Sequence, residues 1–153
     1  MLIQEKYMKE ALKEANKALE KEEVPVGAVI VKDGKIISRA HNLKESKKDT
    51  TMHAEIEAIK KASKKLGAWR LEDCEMYVTL EPCPMCAGAL IQSRIKKLYI
   101  GTMDEKTGSC GSKLNLLRDY TFNHKVEVET GILKDDCEEI LKNFFKNLRK
   151  NKK

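Results

Sequence analysis

Two short motifs in the chain combine residue types that bind transition metals. The first is His53-Ala54-Glu55, and the second is Pro82-Cys83-Pro84-Met85-Cys86, whose first cysteine follows the histidine by 30 positions. Imidazole and thiolate are preferred ligands of zinc, and a catalytic zinc keeps one tetrahedral position open for water. His53, Cys83 and Cys86 form a set of three ligands, and no further Cys or His stands at a comparable spacing. We therefore predict a catalytic Zn²⁺ site, with one ion per subunit.

Glu55 provides the group that a hydrolytic zinc site needs beside its metal. It follows His53 by two residues, and near the beginning of a helix both side chains can reach one pocket. Its carboxylate would take a proton from zinc-bound water and return it to a leaving group. Zinc lowers the pKa of that water towards ~7, so that hydroxide is available at neutral pH. The sequence therefore predicts Glu55 as the catalytic proton shuttle.

Two more common interpretations of the cysteine pair compete with a catalytic zinc site. Cys-x-x-Cys alone is more often a redox pair or part of a structural zinc site. A redox pair gives His53 and Glu55 no role, and a structural site needs a fourth ligand that the sequence does not offer. The joint pattern favours a catalytic zinc site. His-x-Glu together with Pro-Cys-x-x-Cys is also the known signature of zinc nucleobase deaminases.

The motifs need secondary structure that brings them together. In chain order, the sequence predicts helix 3–21, strand 26–31, an Asp33-Gly34 turn, strand 35–40, loop 44–49, helix 53–66 capped by Thr51, strand 76–80, a helix from Cys83 to about 93, strand 98–101, loop 102–113, a helical turn at 114–118, strand 125–129 and helix 135–149. Alternating strands and helices indicate an α/β fold, here a three-layer α/β/α sandwich around a five-stranded mixed sheet. Both motifs then begin helices, where the partial positive charge favours thiolate.

Length and charge limit the class of protein. The 153 residues suit a single domain over 1–153, and the net charge is +6 from 30 basic and 24 acidic residues. The excess lies in the basic C-terminal segment (residues 142–153), which has no acidic residue and six basic ones: Lys142, Lys146, Arg149, Lys150, Lys152 and Lys153. The longest apolar run is too short for a membrane span, and the beginning lacks an apolar signal core. We expect a cytoplasmic protein without a membrane partner, whose five cysteines are reduced or metal-bound.

The chain resembles the cytidine-deaminase-like zinc enzymes and, within them, the bacterial tRNA-specific adenosine deaminases. The residues that carry the resemblance are 23–29, 53–55, 78–89, 93–95, Asp104-x-Lys106-Thr107-Gly108 with Gly111-Ser112, and Asn123-His124. Deaminases of free bases share the zinc-binding motifs of this family. The 104–108 stretch and the aromatic, basic C-terminal helix are typical of its tRNA-specific members. The resemblance implies hydrolytic deamination of adenosine to inosine, with release of ammonia, at the wobble position of an arginine tRNA anticodon stem-loop. It also implies a homodimer.

The resemblance further assigns substrate-binding residues. Asn42 would hydrogen-bond the adenine edge, which suits an amide, and Asp104, Lys106 and Asn123 would line the pocket or hold neighbouring nucleotides. Asn and Asp are equally typical of turns and caps, and that interpretation stays open for Asn42, Asp104 and Asn123. The segment Asp49-Thr50-Thr51-Met52-His53 departs from the family's usual Asp-Pro-Thr-Ala-His, which we expect to affect the loop more than the chemistry.

The C-terminal helix offers aromatic and basic side chains side by side. Phe145 and Arg149 would stack a flanking base and hold phosphate, while Phe144 serves equally well to pack the helix onto the sheet. Two rival functions remain at this point. One is a deaminase of a free nucleobase or nucleoside of the guanine or cytosine type, and the other is a zinc-stabilised nucleic-acid-binding domain without enzymatic activity, in which Glu55 has no role.

Overall fold

Helices and strands alternate along the chain in the computed structural model, which describes residues 1–151. The elements are, in chain order, α1 (Ile3–Glu20), β1 (Gly27–Lys32), β2 (Lys35–His41), α2 (Lys44–Lys47), α3 (Ala54–Leu66), β3 (Cys74–Leu80), α4 (Pro84–Gln92), β4 (Lys97–Thr102), β5 (Glu127–Thr130) and α5 (Lys134–Asn151). The strands and the longer helices agree with the predicted ones, with shifts at their ends.

The five strands form one sheet in the order β2-β1-β3-β4-β5. β1 runs antiparallel to both of its neighbours, whereas β3, β4 and β5 are parallel to one another. The β1–β2 hairpin turns at Asp33 and Gly34, both with positive φ (51° and 74°), as a two-residue hairpin turn requires. The predicted five-stranded mixed sheet is confirmed.

Side chains of the buried strands alternate between two apolar layers. Ala28 and Ile30 of β1 face a layer that includes side chains of α3 and α4. Val29 and Val31, which alternate with them, face the second layer, formed with α1 and the beginning of α5. Helices therefore cover both faces of the sheet, and the predicted three-layer α/β/α sandwich is confirmed.

Helix α5 packs closely against the sheet at Gly101 of β4. A side chain at this position would overlap the side chain of Cys137 and the backbone oxygen of Thr79. Cys137 and Leu141 are the buried residues of α5, so the first half of this helix packs on the sheet and the second half extends along the surface. None of the helices within residues 1–151 is both long and apolar enough to cross a membrane.

Residues 44–47 form the single-turn helix α2 where the sequence predicts a loop, so that prediction is wrong here. The cause is a long-range contact with Glu23, whose buried carboxylate accepts hydrogen bonds from the backbone N–H groups of Glu45 (3.0 Å) and Ser46. These amides are among the donors at a helix beginning that have no partner within the helix. Glu23 therefore stabilises a turn that local sequence does not indicate.

The helical turn predicted for residues 114–118 is a single turn at 115–119, in which the carbonyl of Asn115 accepts from the N–H groups of Asp119 (2.9 Å) and Arg118 (3.3 Å). Asn115 pairs with Cys110 in an isolated antiparallel bridge, and the N–H of Gly111 donates to the carbonyl of Leu114 at 2.8 Å. A bridging residue is extended, which is incompatible with a helix at that position. The helical hydrogen bonding therefore begins only at Asn115, and the segment is held against the preceding loop.

Helix α3 begins at Ala54, with His53 rather than the predicted Thr51 at its N-cap. The hydroxyl and the N–H of Thr51 both donate to Oδ1 of Asp49, at 2.7 and 2.9 Å. This Asx turn occupies the side chain that would otherwise cap the helix. It also gives the segment before His53 a fixed turn, although the proline usual in the family is absent.

Candidate active site

The two motifs meet at one edge of the sheet because each one begins a helix. His53 is the N-cap of α3, and Cys83 is the N-cap of α4. Strand β3 ends at Leu80 and leads directly into the second motif. Pro84 occupies the first turn of α4, where its fixed φ and missing N–H fit a helix beginning.

The side chains of His53, Cys83 and Cys86 form a group that could hold a metal ion. Their ligand atoms all lie within 4.8 Å of one another. The Nδ1 atom of His53 lies 3.6 Å from Sγ of Cys83 and 3.4 Å from Sγ of Cys86. Cys86 is buried, whereas the other two residues are half-buried, so the group is accessible from one side.

The ionisation of this group depends on the contacts among its members. A hydrogen bond from Cys86 lowers the pKa of the Cys83 thiol to about 4. The pKa of Cys86 is raised in return, first by that hydrogen bond and then by burial. The pKa of His53 is raised, chiefly by its hydrogen bond with Cys83. The chain alone thus favours one thiolate beside one thiol, and a bound cation would supply the charge that allows both sulfurs to ionise.

Glu55 lies in the first turn of α3, and only 4% of it is exposed. Burial raises the pKa of its carboxyl to about 7. A carboxyl group with such a pKa can both accept and donate a proton near neutral pH. Because Glu55 lines the same cavity as His53 and Cys83, this proton carrier faces the space beside the metal-binding group.

A cavity of about 170 Å³ opens in front of this group. It is smaller than the ~300–1,000 Å³ of most small-molecule sites, so it suits a single planar ring system rather than a large ligand. The residues that line it are Val24, Val26, Asn42, Lys44, His53, Ala54, Glu55, Leu80, Glu81, Cys83, Asp104 and Thr107.

Asn42 and Asp104, two of the predicted substrate-binding residues, lie in the cavity wall. Asn42 is buried; its Oδ1 accepts from the N–H of Lys44 at 3.1 Å, and its Nδ2 donates to the carbonyl of Val24 at 3.3 Å. Asp104 accepts from the N–H groups of Lys106 (3.0 Å) and Thr107 (3.2 Å). Both residues therefore shape turns in the way that their residue types allow, and both turns form part of the cavity wall.

The other four predicted substrate-binding residues are not among the lining residues of the cavity in the described chain. Lys106 is exposed on the turn that Asp104 forms, and Asn123 is exposed in the loop before β5. Phe145 and Arg149 lie in the exposed second half of α5, a helix that packs on the opposite face of the sheet from α3 and α4. Lys152 and Lys153, at the end of the basic C-terminal segment, lie outside the described residues.

The sequence interpretation did not single out three residues that help to build the cavity. Lys44 lines it from α2, and no local pattern indicates this. Glu23 and Glu81 are buried carboxylates that hold neighbouring backbone segments. The sequence does contain a signal for both glutamates, because each lies next to an apolar stretch. Glu23 precedes the stretch that leads into β1, and Glu81 follows β3.

Comparison with known proteins gives the family. The family model described as MafB19-like deaminase matches residues 3–149. A tRNA-specific adenosine deaminase of Bacillus subtilis (strain 168) is 54% identical over 153 residues, which cover 100% of this chain and 95% of that protein. A tRNA-specific adenosine deaminase of Aquifex aeolicus (strain VF5) is 52% identical over 147 residues, 96% of this chain and 97% of that protein.

A solved structure agrees with these relatives. It comes from a study of A-to-I editing by tRNA deaminases at the wobble position of transfer RNA, and it is 43% identical in sequence with a TM-score of 0.85. The match covers 88% of this chain and 98% of that chain. The predicted resemblance is thereby confirmed. The chain belongs to the MafB19-like deaminase family and, within it, to the family of the tRNA-specific adenosine deaminases.

Proposed function

We propose that this protein is an enzyme that hydrolyses adenosine to inosine at the wobble position of a tRNA anticodon and releases ammonia. One observation carries the proposal. The metal-binding group and the buried carboxyl of Glu55 face one small cavity, in a chain 54% identical to a tRNA-specific adenosine deaminase. The rival function, deamination of free bases, is not favoured, because the relatives at 54% and 52% identity are tRNA-specific adenosine deaminases.

The metal of this proposal is one Zn²⁺ per subunit, held by His53, Cys83 and Cys86. In a tetrahedral zinc site, bond lengths of about 2.3 Å to sulfur and 2.0–2.1 Å to nitrogen separate those two atoms by about 3.6 Å. The two observed separations between Nδ1 and the sulfurs, 3.6 and 3.4 Å, fit this value. When bound, zinc supplies an activated water for hydrolysis.

Glu55 carries the proton in the proposed reaction. As a carboxylate it accepts a proton from the attacking water, whose oxygen bonds to the adenine carbon that bears the amino group. As a carboxylic acid it delivers that proton to the amino group, the carbon–nitrogen bond breaks, and ammonia leaves. The pKa of about 7 that burial gives Glu55 suits both steps near neutral pH.

The cavity admits the reacting base only after it has left the stack. Its volume of about 170 Å³ suits one base and not a stacked pair. Extruding a nucleotide costs little in an anticodon loop, where the bases are unpaired. Inside the cavity, we propose that Asn42 hydrogen-bonds the purine edge with its amide and that Asp104 lines the space that the base occupies.

Exposed residues outside the cavity would hold the rest of the RNA. We propose that Lys106 and Asn123 contact nucleotides that flank the reacting one. Phe145 and Arg149 would provide a stacking ring and a phosphate contact. Phe145 suits this role because it is 42% exposed and its ring meets Phe144 edge-on at 5.2 Å.

Five further parts of the proposal rest on the family resemblance and on the sequence. The whole chain, 1–153, is one deaminase domain, and the basic C-terminal segment binds RNA. The enzyme acts as a homodimer, its substrate is an arginine tRNA, and it acts in the cytoplasm, where tRNA is used in translation.

The proposal is tested by turnover of an RNA hairpin. The zinc-loaded protein is incubated with an arginine tRNA anticodon stem-loop that has adenosine at the wobble position, and inosine is quantified by mass spectrometry of the digested RNA. The matched control carries guanosine at the wobble position and adenosine elsewhere in the loop. We expect inosine only from the first RNA. Ammonia from free guanine or cytosine without inosine in the hairpin would favour the free-base deaminase, and binding without any turnover would favour the non-enzymatic domain.

A further inference from the structure

Two buried glutamates beside the cavity have no part in the proposed chemistry. Glu23 is 0% exposed and Glu81 is 3% exposed. A buried carboxylate is costly unless hydrogen bonds compensate for its lost hydration. In both residues these hydrogen bonds come from backbone N–H groups and a serine hydroxyl of a segment distant in sequence.

Glu81 accepts hydrogen bonds from both ends of the segment 104–112. Its Oε1 accepts from the N–H of Asp104 at 2.9 Å and from the hydroxyl of Ser112. Its Oε2 accepts from the N–H groups of Cys110 (2.9 Å) and Ser112 (3.0 Å). The segment between these contacts supplies Asp104 and Thr107 to the cavity wall. One carboxylate thus fixes one wall of the cavity.

Glu23 has the same relation to the other wall. Its carboxylate accepts from the N–H groups of Glu45 and Ser46 and from the hydroxyl of Ser46, which holds the single-turn helix α2 in place. The first residue of α2, Lys44, lines the cavity, and its N–H donates to Oδ1 of Asn42 at 3.1 Å. Displacement of α2 would therefore also displace the amide of Asn42 in the cavity wall.

We infer that Glu23 and Glu81 are positioning residues for the substrate. Glu23 holds the wall that contains Asn42 and Lys44, and Glu81 holds the wall that contains Asp104 and Thr107. Since neither belongs to the metal-binding group, their effect falls on substrate affinity more than on the chemical step. The identity of the bound base rests on the proposed function, whereas the holding of the two walls is a property of the fold alone.

Gly108 provides an independent way to disturb the same contact. A side chain at this position would overlap the carboxyl group of Glu81 and the backbone oxygen of Asp104. Gly108→Ala therefore pushes the segment and the carboxylate apart without changing any hydrogen-bonding group. Ser112→Ala removes one hydroxyl donor and leaves the backbone contacts of Glu81 in place.

The test compares Glu81→Gln with Glu105→Gln, and Glu23→Gln with Glu22→Gln, all as zinc-loaded proteins. The two controls are exposed glutamates: Glu105 lies within the segment 104–112, and Glu22 directly precedes Glu23. In Glu81→Gln the amide NH₂ has to face at least one backbone N–H, donor against donor. We expect KM for the stem-loop to rise about tenfold, while kcat changes by less than about twofold. Zinc content stays unchanged, and the amides of Asp104, Cys110 and Ser112 exchange faster with deuterium.

The inference is overturned if KM and amide exchange in Glu81→Gln match those of Glu105→Gln, or if the variant loses zinc and kcat together. If Glu81→Gln does not fold, Gly108→Ala and Ser112→Ala decide the question in the same assays, with the larger effect expected for Gly108→Ala. Failure of the wild-type protein to deaminate the stem-loop would refute the proposed function instead. In that case the exchange rates of the two walls still decide whether the glutamates hold them.

Discussion

The cavity and the second half of α5 serve the proposed reaction through opposite kinds of structure. At the cavity, Glu55 is 4% and Cys86 0% exposed, and each thiol changes the pKa of the other. In the second half of α5, Phe145 is 42% exposed, and the residues from 145 to 151 are all exposed. The first region is a buried cluster of interdependent groups, and the second is a row of separate side chains in water.

This difference determines how each region responds to change. In a buried cluster, the loss of one member leaves its partners with uncompensated charges or hydrogen bonds, so the cluster fails as a unit. Side chains on an exposed helix act through screened charges and single contacts, whose effects are small and nearly additive. We therefore expect all-or-none losses at the cavity and graded losses along α5.

The largest effect is expected from Cys86→Ala, which removes one of three proposed zinc ligands. Zinc content should fall below one ion per chain, and deamination should drop by roughly three orders of magnitude or more. The matched control is Cys137→Ala, since Cys137 is also a fully buried free thiol but packs on the opposite face of the sheet. Zinc content is measured by atomic emission on the same samples. A Cys86→Ala protein with full zinc and full activity would refute the ligand set.

Glu55→Ala should stop the reaction without removing the metal. Loss of a positioned proton carrier lowers kcat by about 10²–10⁴-fold, while the three zinc ligands are untouched. Glu57→Ala is the control, because Glu57 lies in the same first turn but is only half-buried, with an ion pair to Lys60 at 3.4 Å. Single-turnover rates with the stem-loop, together with zinc content, separate the two variants. Normal turnover by Glu55→Ala would assign the proton transfer to another group.

Deletion of residues 146–153 should weaken RNA binding in a way that depends on salt. The deletion removes five cations and keeps the buried residues Cys137 and Leu141 of α5. The slope of log affinity against log salt should become flatter by no more than about 3.5 if all five contact phosphates of a single-stranded loop. Affinity for the tRNA is measured over a series of salt concentrations. An identical slope in both proteins would show that the basic C-terminal segment only contacts solvent.

The smallest effect is expected from Phe145→Ala. Loss of one stacking contact should weaken stem-loop binding by about 1 kcal/mol, roughly fivefold in Kd. Phe144→Ala is the matched control, since Phe144 is half-buried beside it and should affect Tm more than binding. Kd is obtained by fluorescence anisotropy and Tm by calorimetry. The reverse result, with lower affinity in Phe144→Ala alone, would exchange the roles of the two rings.

Most of the fold could be predicted because its signals are local. The Asp33-Gly34 turn, the apolar run of β1 and the start of α4 after Cys83 each depend on a few consecutive residues. The error at 44–47 has a long-range origin. There the backbone N–H groups of Glu45 and Ser46 donate to Glu23, which lies 22 and 23 positions earlier in the chain, and no local pattern indicates this contact.

The same distinction applies to the site. The proposed zinc ligands and Glu55 could be named from the sequence, because their residue types and spacing carry the chemistry. The roles of Glu23 and Glu81 could not, since a glutamate in a sequence does not reveal which distant amides it will bind. The Asx turn of Asp49 and Thr51 is an intermediate case. Its two residues are only two positions apart, but the same hydroxyl could equally have capped a helix.

The close packing of Gly101 against Cys137 has a consequence for protein engineering. Because no side chain fits between β4 and α5 at this point, any helix transplanted from a relative must bring a residue no larger than cysteine to position 137. A graft that respects this constraint would exchange the proposed RNA-binding surface of α5 and leave the cavity intact. A graft that ignores it would press on the strand whose last residue, Thr102, accepts a hydrogen bond from the N–H of Glu81, and would disturb the cavity from behind.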